Sequence, residues 1–88
     1  MPTISMFYGV LIRMYWKDTD RHKEPHFHAH YGEHEAVFSL KGELIAGGFP
    51  AKQAAYIRAW ALLHEEELAA NWELAICGEE VFKIDPLK

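Results

Sequence analysis

The stretch "HFHAHYGEHEAVFSL", residues 26–40, decides the fold because it contains two strand-like segments joined by a turn. Side chains along a strand alternate between its two faces, so His26, His28 and His30 share one face and the apolar residues between them share the other. Residues 31–34 form the turn around Gly32, and residues 35–40 supply the second strand. The stretch therefore predicts an antiparallel hairpin with one histidine face and one apolar face.

The segments on either side extend this hairpin into a sheet. Upstream, residues 4–16 are mostly aromatic, β-branched or otherwise apolar, which is typical of a long strand covered on both sides, with a bulge or bend at Gly9. Residues 17–25 are polar and end in a proline, as in an exposed loop. Downstream, a turn at Lys41-Gly42 leads into a short strand over residues 43–46. These segments predict a three- to four-stranded, mainly antiparallel meander.

Residues 51–77 have the spacing of an amphipathic helix that follows Pro50. Asn71 is a typical N-cap residue and predicts a second helix after a break near Ala70, while Gly78 is a natural stop. The tail, residues 79–88, is predicted to add a short edge strand ended by Pro86. The apolar stripe of this segment consists of Ile57, Trp60, Ala61, His64, Leu68, Trp72 and Ala75.

The elements together predict an α+β fold in a single domain over residues 1–88. A long C-terminal helix or helix pair covers the apolar face of the meander, and the three imidazoles lie on the opposite, more open face. His64, a lone histidine within an apolar stripe, is expected to be a packed, hydrogen-bonded core residue.

Composition excludes several classes of protein. The only cysteine, Cys77, permits no intramolecular disulfide and no cysteine-cluster zinc site, and its place near a helix end predicts burial. The N-terminal residues resemble neither a signal peptide nor a membrane span, so we expect a cytoplasmic protein without membrane contact. The net charge of −4 argues against a strongly basic nucleic-acid binder, and only the first half of the chain offers a basic face that could meet RNA.

The histidines suggest a metal site. Five of the six fall between His22 and His34. Alternating imidazoles on a strand can converge on one ion, so His26, His28 and His30 are predicted to bind Zn²⁺ or Ni²⁺ weakly, with no closed four-ligand set evident. The competing interpretation is that these imidazoles are only packed or solvent-facing strand side chains.

A metal-free acid–base site is the rival hypothesis. Here His28 acts as general acid or base with His26 as its partner, while Arg13 and Lys17 hold a phosphodiester. The sequence contains no Ser/His/Asp arrangement and no glycine-rich phosphate loop, so it does not decide whether the protein is an enzyme.

The segments "MPTISMFYGVLIRMYW", "PHFHAHYGEHEAVF", "GELIAGGFP" and "HEEELAANWELA" resemble, in order, a family of small prokaryotic proteins called domain of unknown function 4160. His26 and His28 match the family pattern, whereas His30 replaces a residue that is often acidic or otherwise polar. The resemblance implies a gene adjacent to one for another small domain of unknown function, number 2442, as in a toxin–antitoxin or regulatory pair.

The leading functional expectation is therefore an interaction module that binds the small protein encoded by the adjacent gene. Aromatic side chains are the predicted means of association with this partner or with a second copy of the chain. The alternatives are a small His-dependent ribonuclease-type toxin and a His-cluster protein that binds divalent metal. The candidate aromatic residues are Tyr8, Tyr15, Trp16 and Tyr31.

Overall fold

The structure, a computed structural model, describes residues 2–14 and 24–88. Its strands form one antiparallel sheet in the order β1-β2-β3-β4-β5, followed in the chain by two helices. The predicted α+β meander is confirmed. The elements are β1 (Thr3–Phe7), β2 (Val10–Arg13), β3 (His26–Tyr31), β4 (His34–Ser39), β5 (Leu44–Gly47), α1 (Ala51–Leu63) and α2 (Glu65–Ile76).

The first predicted strand, residues 4–16, is wrong as a single element. It folds back at Tyr8-Gly9, so that β1 and β2 pair with each other, and the described residues form a sheet of five strands rather than three or four. Both turn residues have positive φ, 48° at Tyr8 and 79° at Gly9, as a two-residue type I′ hairpin requires. Tyrosine rarely adopts this conformation, which is why the sequence suggested a bend rather than a reversal.

The helical segment is a helix pair, but its break is at His64 and not near Ala70. The His64 backbone N–H is shared between the carbonyl oxygens of Trp60 and Ala61, which tightens the end of α1. Asn71 lies inside α2 rather than at an N-cap. Gly78 does stop the helix, with a φ of 73°.

The core lies where α1 meets the apolar face of the sheet. Trp60 is fully buried, and its ring centroid lies 5.3 Å from that of Phe7 and 5.7 Å from that of Phe27. Phe27 in turn stacks on Phe38 of the neighbouring strand at 5.9 Å. The buried stripe of the helices and alternate residues of the strands therefore share one core, as the periodicity predicted.

Gly42, in the turn between β4 and β5, is in close contact with α1. Its φ is 82°, and a Cβ at this position would lie 2.7 Å from the Cα of Arg58. Only glycine permits both this backbone conformation and this approach. The turn thereby fixes where α1 crosses the end of the sheet.

The tail is held against β1 and α1 by specific hydrogen bonds. The Ile84 N–H donates to the carbonyl oxygen of Ile4 at 2.7 Å, and the Trp60 indole N–H donates to the carbonyl oxygen of Asp85 at 2.8 Å. The predicted edge strand is therefore replaced by an irregular segment that uses one backbone bond to β1.

Among the described residues, neither helix has the length and apolar character needed to cross a bilayer.

Candidate functional site

The histidine row on β3 is less open than its sequence predicted. His26 is fully buried and His28 is 6% exposed, whereas His30 is half-buried. The expectation of an open histidine face is therefore wrong for the first two. For His26 the reason is tertiary, because the Trp72 ring of α2 lies 5.1 Å from its ring.

The rings of His26 and His28 form a pair. Their centroids are 5.3 Å apart in an edge-to-face arrangement. His26 Nδ1 lies 2.9 Å from the backbone oxygen of Glu24. Because a carbonyl oxygen only accepts, this contact requires that Nδ1 carry a proton. The structure thus brings together two of the three predicted metal ligands, which are also both predicted acid–base residues.

Arg13 lies directly across from His28 in the pairing of β2 with β3. The two side chains therefore point to the same face of the sheet. The Nε atom of Arg13 and the Nε2 atom of His30 are both buried without a hydrogen-bond partner among residues 2–14 and 24–88. A guanidinium on the same sheet face as an imidazole pair is a combination that can hold an anion and move a proton. Lys17, the second predicted cation, lies outside the described residues.

The predicted three-histidine metal site is not assembled from the described side chains. Within that part of the chain, no three His, Cys, Asp or Glu side chains form a group able to hold a metal ion. His34 is exposed and its ring faces Phe49 at 6.4 Å. His22 lies outside the described residues, so metal binding by His26, His28 and His30 stays a prediction.

A second candidate site is the surface formed by Tyr8 and Tyr56, here called the hairpin surface. Tyr8 is 55% exposed. The Tyr8 ring packs on the ring of Tyr56 in α1 with centroids 4.9 Å apart. Tyr8 is one of the predicted association residues, and the structure places it at the tip of the β1–β2 hairpin.

The other predicted aromatic residues are placed differently. Tyr31 is half-buried, and its ring lies 6.4 Å from that of Phe49. Tyr15 and Trp16 lie outside the described residues. Of the four predicted association residues, Tyr8 is thus the one that the structure shows to be exposed.

Residues 9–73 match the model of a protein family described as a domain of unknown function, DUF4160. The chain belongs to this family. Searches of the curated proteins and of the solved structures found no match. The DUF4160 match runs from Gly9 of the hairpin turn to Glu73 of α2, so it includes the histidine row and leaves out the tail.

Several residues of this DUF4160 protein have roles that the sequence did not indicate. Cys77 is exposed, which corrects the prediction that it is buried, because the chain turns away from the core where α2 ends. His64 is only partly buried, at 16% side-chain exposure, and lies at the helix junction with its Nδ1 2.6 Å from an oxygen of Glu67. Its predicted hydrogen bonding is confirmed, but it is not a core residue.

Two further features would have been detectable only as weak signals. Asn71 is fully buried, which is unusual for asparagine and indicates a structural partner. Leu62 and Leu63 follow the buried Trp60-Ala61 pair but lie off the apolar stripe, and both are exposed. A helical-wheel count separates these leucines from the core, although it does not show what they contact.

Proposed function

We propose that this DUF4160 protein is an interaction module whose hairpin surface binds a small partner protein. The observation that carries the proposal is the conformation of Tyr8. A large aromatic side chain is held exposed at a φ of 48°, in a backbone region that costs L-residues about 1–2 kcal/mol. Such strain is concentrated at functional sites, and here it presents a ring that the fold itself does not bury.

The packing of Tyr8 suits it to be a binding anchor. Contact with the Tyr56 ring at 4.9 Å restricts the side chain before any partner arrives, which reduces the entropy lost on binding. Tyrosine combines a large apolar area with a hydroxyl group and is enriched where binding energy is concentrated.

The family resemblance suggests the partner. We propose that it is the small protein encoded by the adjacent gene, in a toxin–antitoxin-like or regulatory pair in the cytoplasm. A second copy of this chain is the other occupant that the hairpin surface admits. Both occupants predict burial of Tyr8, so the experiment must distinguish them.

The test is co-expression of the tagged protein with the adjacent gene product. We expect the two to co-purify and to change each other's effect on growth. Tyr8→Asn should abolish co-purification, because asparagine keeps the hairpin turn but removes the ring. Leu44→Asn is the matched control, since Leu44 is 53% exposed on β5, outside the hairpin surface.

Three results would contradict the proposal. The first is a failure of the wild-type proteins to associate or to affect growth. The second is co-purification that survives Tyr8→Asn. The third is a Tyr8-dependent homodimer that binds no adjacent gene product, measured by light scattering, which would replace the partner protein by a second copy.

A second candidate function is a His-dependent ribonuclease, favoured by the cross-strand position of Arg13 opposite His28. In this hypothesis Arg13 holds a phosphate and the His26–His28 pair moves the proton. The hypothesis assigns His28 the role of general acid or base and His26 the role of its partner. RNA cleavage that depends on His28 would favour this function over the interaction module.

A further inference from the structure

The junction of the two helices carries an apolar surface that is separate from the hairpin surface. Leu63 is 71% exposed, more than any other large apolar side chain in the described part of the chain, and Leu62 is 51% exposed. We call residues 62–67 together with residues 85–88 the junction surface. Adjacent exposed leucines that the core does not use are characteristic of contact surfaces rather than of scattered apolar residues.

The shape of the junction surface is a ridge between two depressions. Leu63 and His64 line both of them. One depression, of about 260 Å³, is formed by residues 62–67, and the other, of about 350 Å³, continues to residues 85–88. Pro86 and Leu87 give the second depression an apolar wall.

The fold builds this shape with specific interactions. The Trp60 indole N–H bonds to the carbonyl oxygen of Asp85, which holds the tail beside the end of α1. His64 ends α1 and begins α2, and its ring lies 5.8 Å from that of Trp60. The ridge is therefore part of the ordered helix junction and exists before any partner binds.

The charge of the junction surface is acidic on one side. Glu65, Glu66 and Glu67 follow the ridge, and all three are exposed. Glu67 contacts His64, whereas Glu65 and Glu66 have no ion pair within the described ranges. Carboxylates in the first turn of α2 are favoured by the helix dipole, but this effect does not explain the exposed leucines before them.

We propose that the junction surface binds a basic amphipathic helix of a partner protein. Side chains three or four positions apart on a helix lie on one face, so such a helix can place apolar groups on both sides of Leu63. Lysine or arginine side chains next to that face then lie against Glu65 and Glu66. This surface shares no residue with the hairpin surface, so the proposal does not depend on the proposed function.

The test uses two synthetic helical peptides with identical leucine positions, one carrying lysines and the other carrying glutamates in their place. Binding to the isotope-labelled protein is followed by two-dimensional NMR. We expect the lysine peptide to shift the amide signals of residues 62–67, Asp85 and Leu87, and the glutamate peptide to shift none of them. Shifts located mainly outside these residues, or equal binding of both peptides, would overturn the proposal.

Two variants separate apolar from purely electrostatic binding. Leu63→Gln should lower the affinity for the lysine peptide about tenfold or more, as expected for loss of a buried leucine contact. Leu44→Gln should leave this affinity unchanged. The double variant Glu65→Gln/Glu66→Gln should also weaken it and reduce its salt dependence. If Leu63→Gln binds like the wild type while the glutamine pair does not, the peptide is attracted by charge alone and the proposal fails.

Discussion

Asn71 forms two hydrogen bonds with the backbone of Phe82, donating from its amide nitrogen to the carbonyl oxygen at 2.7 Å and accepting from the N–H at 2.9 Å. One buried side chain on α2 thereby satisfies both polar groups of a tail residue, as a neighbouring strand would. This pairing aligns the tail so that Ile84, two residues later, reaches Ile4 of β1.

Replacing Asn71 should therefore release the tail. We expect Asn71→Ala to lower the free energy of unfolding by about 2–4 kcal/mol, because two backbone groups lose their partner in a partly buried place. Urea denaturation measures this loss, and limited proteolysis should show faster cleavage within residues 79–88. Glu73→Ala, on the exposed side of the same helix, is the control. An equal, small effect of the two substitutions would show that Asn71 does not hold the tail.

The contact of Gly42 with α1 predicts a large effect of adding one methyl group. Gly42→Ala places a side chain at a positive φ and puts its Cβ 2.7 Å from the Arg58 backbone. We therefore expect the free energy of unfolding to fall by about 2 kcal/mol or more. Gly32→Ala is a matched control because Gly32 also has positive φ, 57°, but a Cβ there meets open space. In thermal unfolding, the Tm of Gly42→Ala should lie well below the Tm of Gly32→Ala. Equal stability of the two variants would mean that the close contact of Gly42 with the α1 backbone does not exclude a Cβ.

The strain at Tyr8 predicts that Tyr8→Asn loses partner binding without losing stability. Asparagine suits the left-handed region of a type I′ turn, which offsets the loss of the Tyr56 contact, worth about 0.5–1.5 kcal/mol. We therefore expect the free energy of unfolding of Tyr8→Asn to be at most about 1 kcal/mol below that of the wild type, or to exceed it. Urea denaturation of the purified variants measures this. A variant that is strongly destabilised would show that Tyr8 is retained for the fold and not for a partner.

The ribonuclease hypothesis predicts a specific ranking of variants. His28→Ala and Arg13→Ala should abolish RNA cleavage and growth arrest. His34→Ala, which removes an exposed imidazole at the start of β4, should preserve both. Cleavage should also change between pH 5 and 8, the range in which an imidazole ordinarily changes charge. A broad panel of RNAs left intact across that range would remove this function.

The metal hypothesis predicts weak binding of Zn²⁺ or Ni²⁺ that needs His28. We expect His28→Ala to lose the binding, because its ring and that of His26 are the converging pair on β3. Protons compete for the ring nitrogens, so affinity should fall as the pH drops below the ordinary imidazole pKa of about 6.5. Titration calorimetry on the wild type, His28→Ala and His30→Ala measures each contribution. Unchanged affinity in His28→Ala would mean that the row serves packing alone.

The sequence by itself determined the elements whose signal is local. Alternation in residues 26–40 predicted the β3–β4 hairpin, and three- and four-residue spacing predicted the buried stripe that includes Trp60 and Leu68. Both patterns depend only on the repeat of a strand or a helix. Gly78 is a local signal as well, since a helix end needs a residue that tolerates positive φ.

The tertiary structure alone decided where chain segments meet. A mostly apolar run such as residues 4–13 satisfies one long strand or two paired strands equally well. Only the structure shows the reversal at Tyr8-Gly9 and the Tyr56 ring that packs on Tyr8. In the same way, His26 is buried by Trp72, and Asn71 receives its role from Phe82 in the tail. These contacts join residues far apart in the chain, so periodicity and propensity carry no information about them.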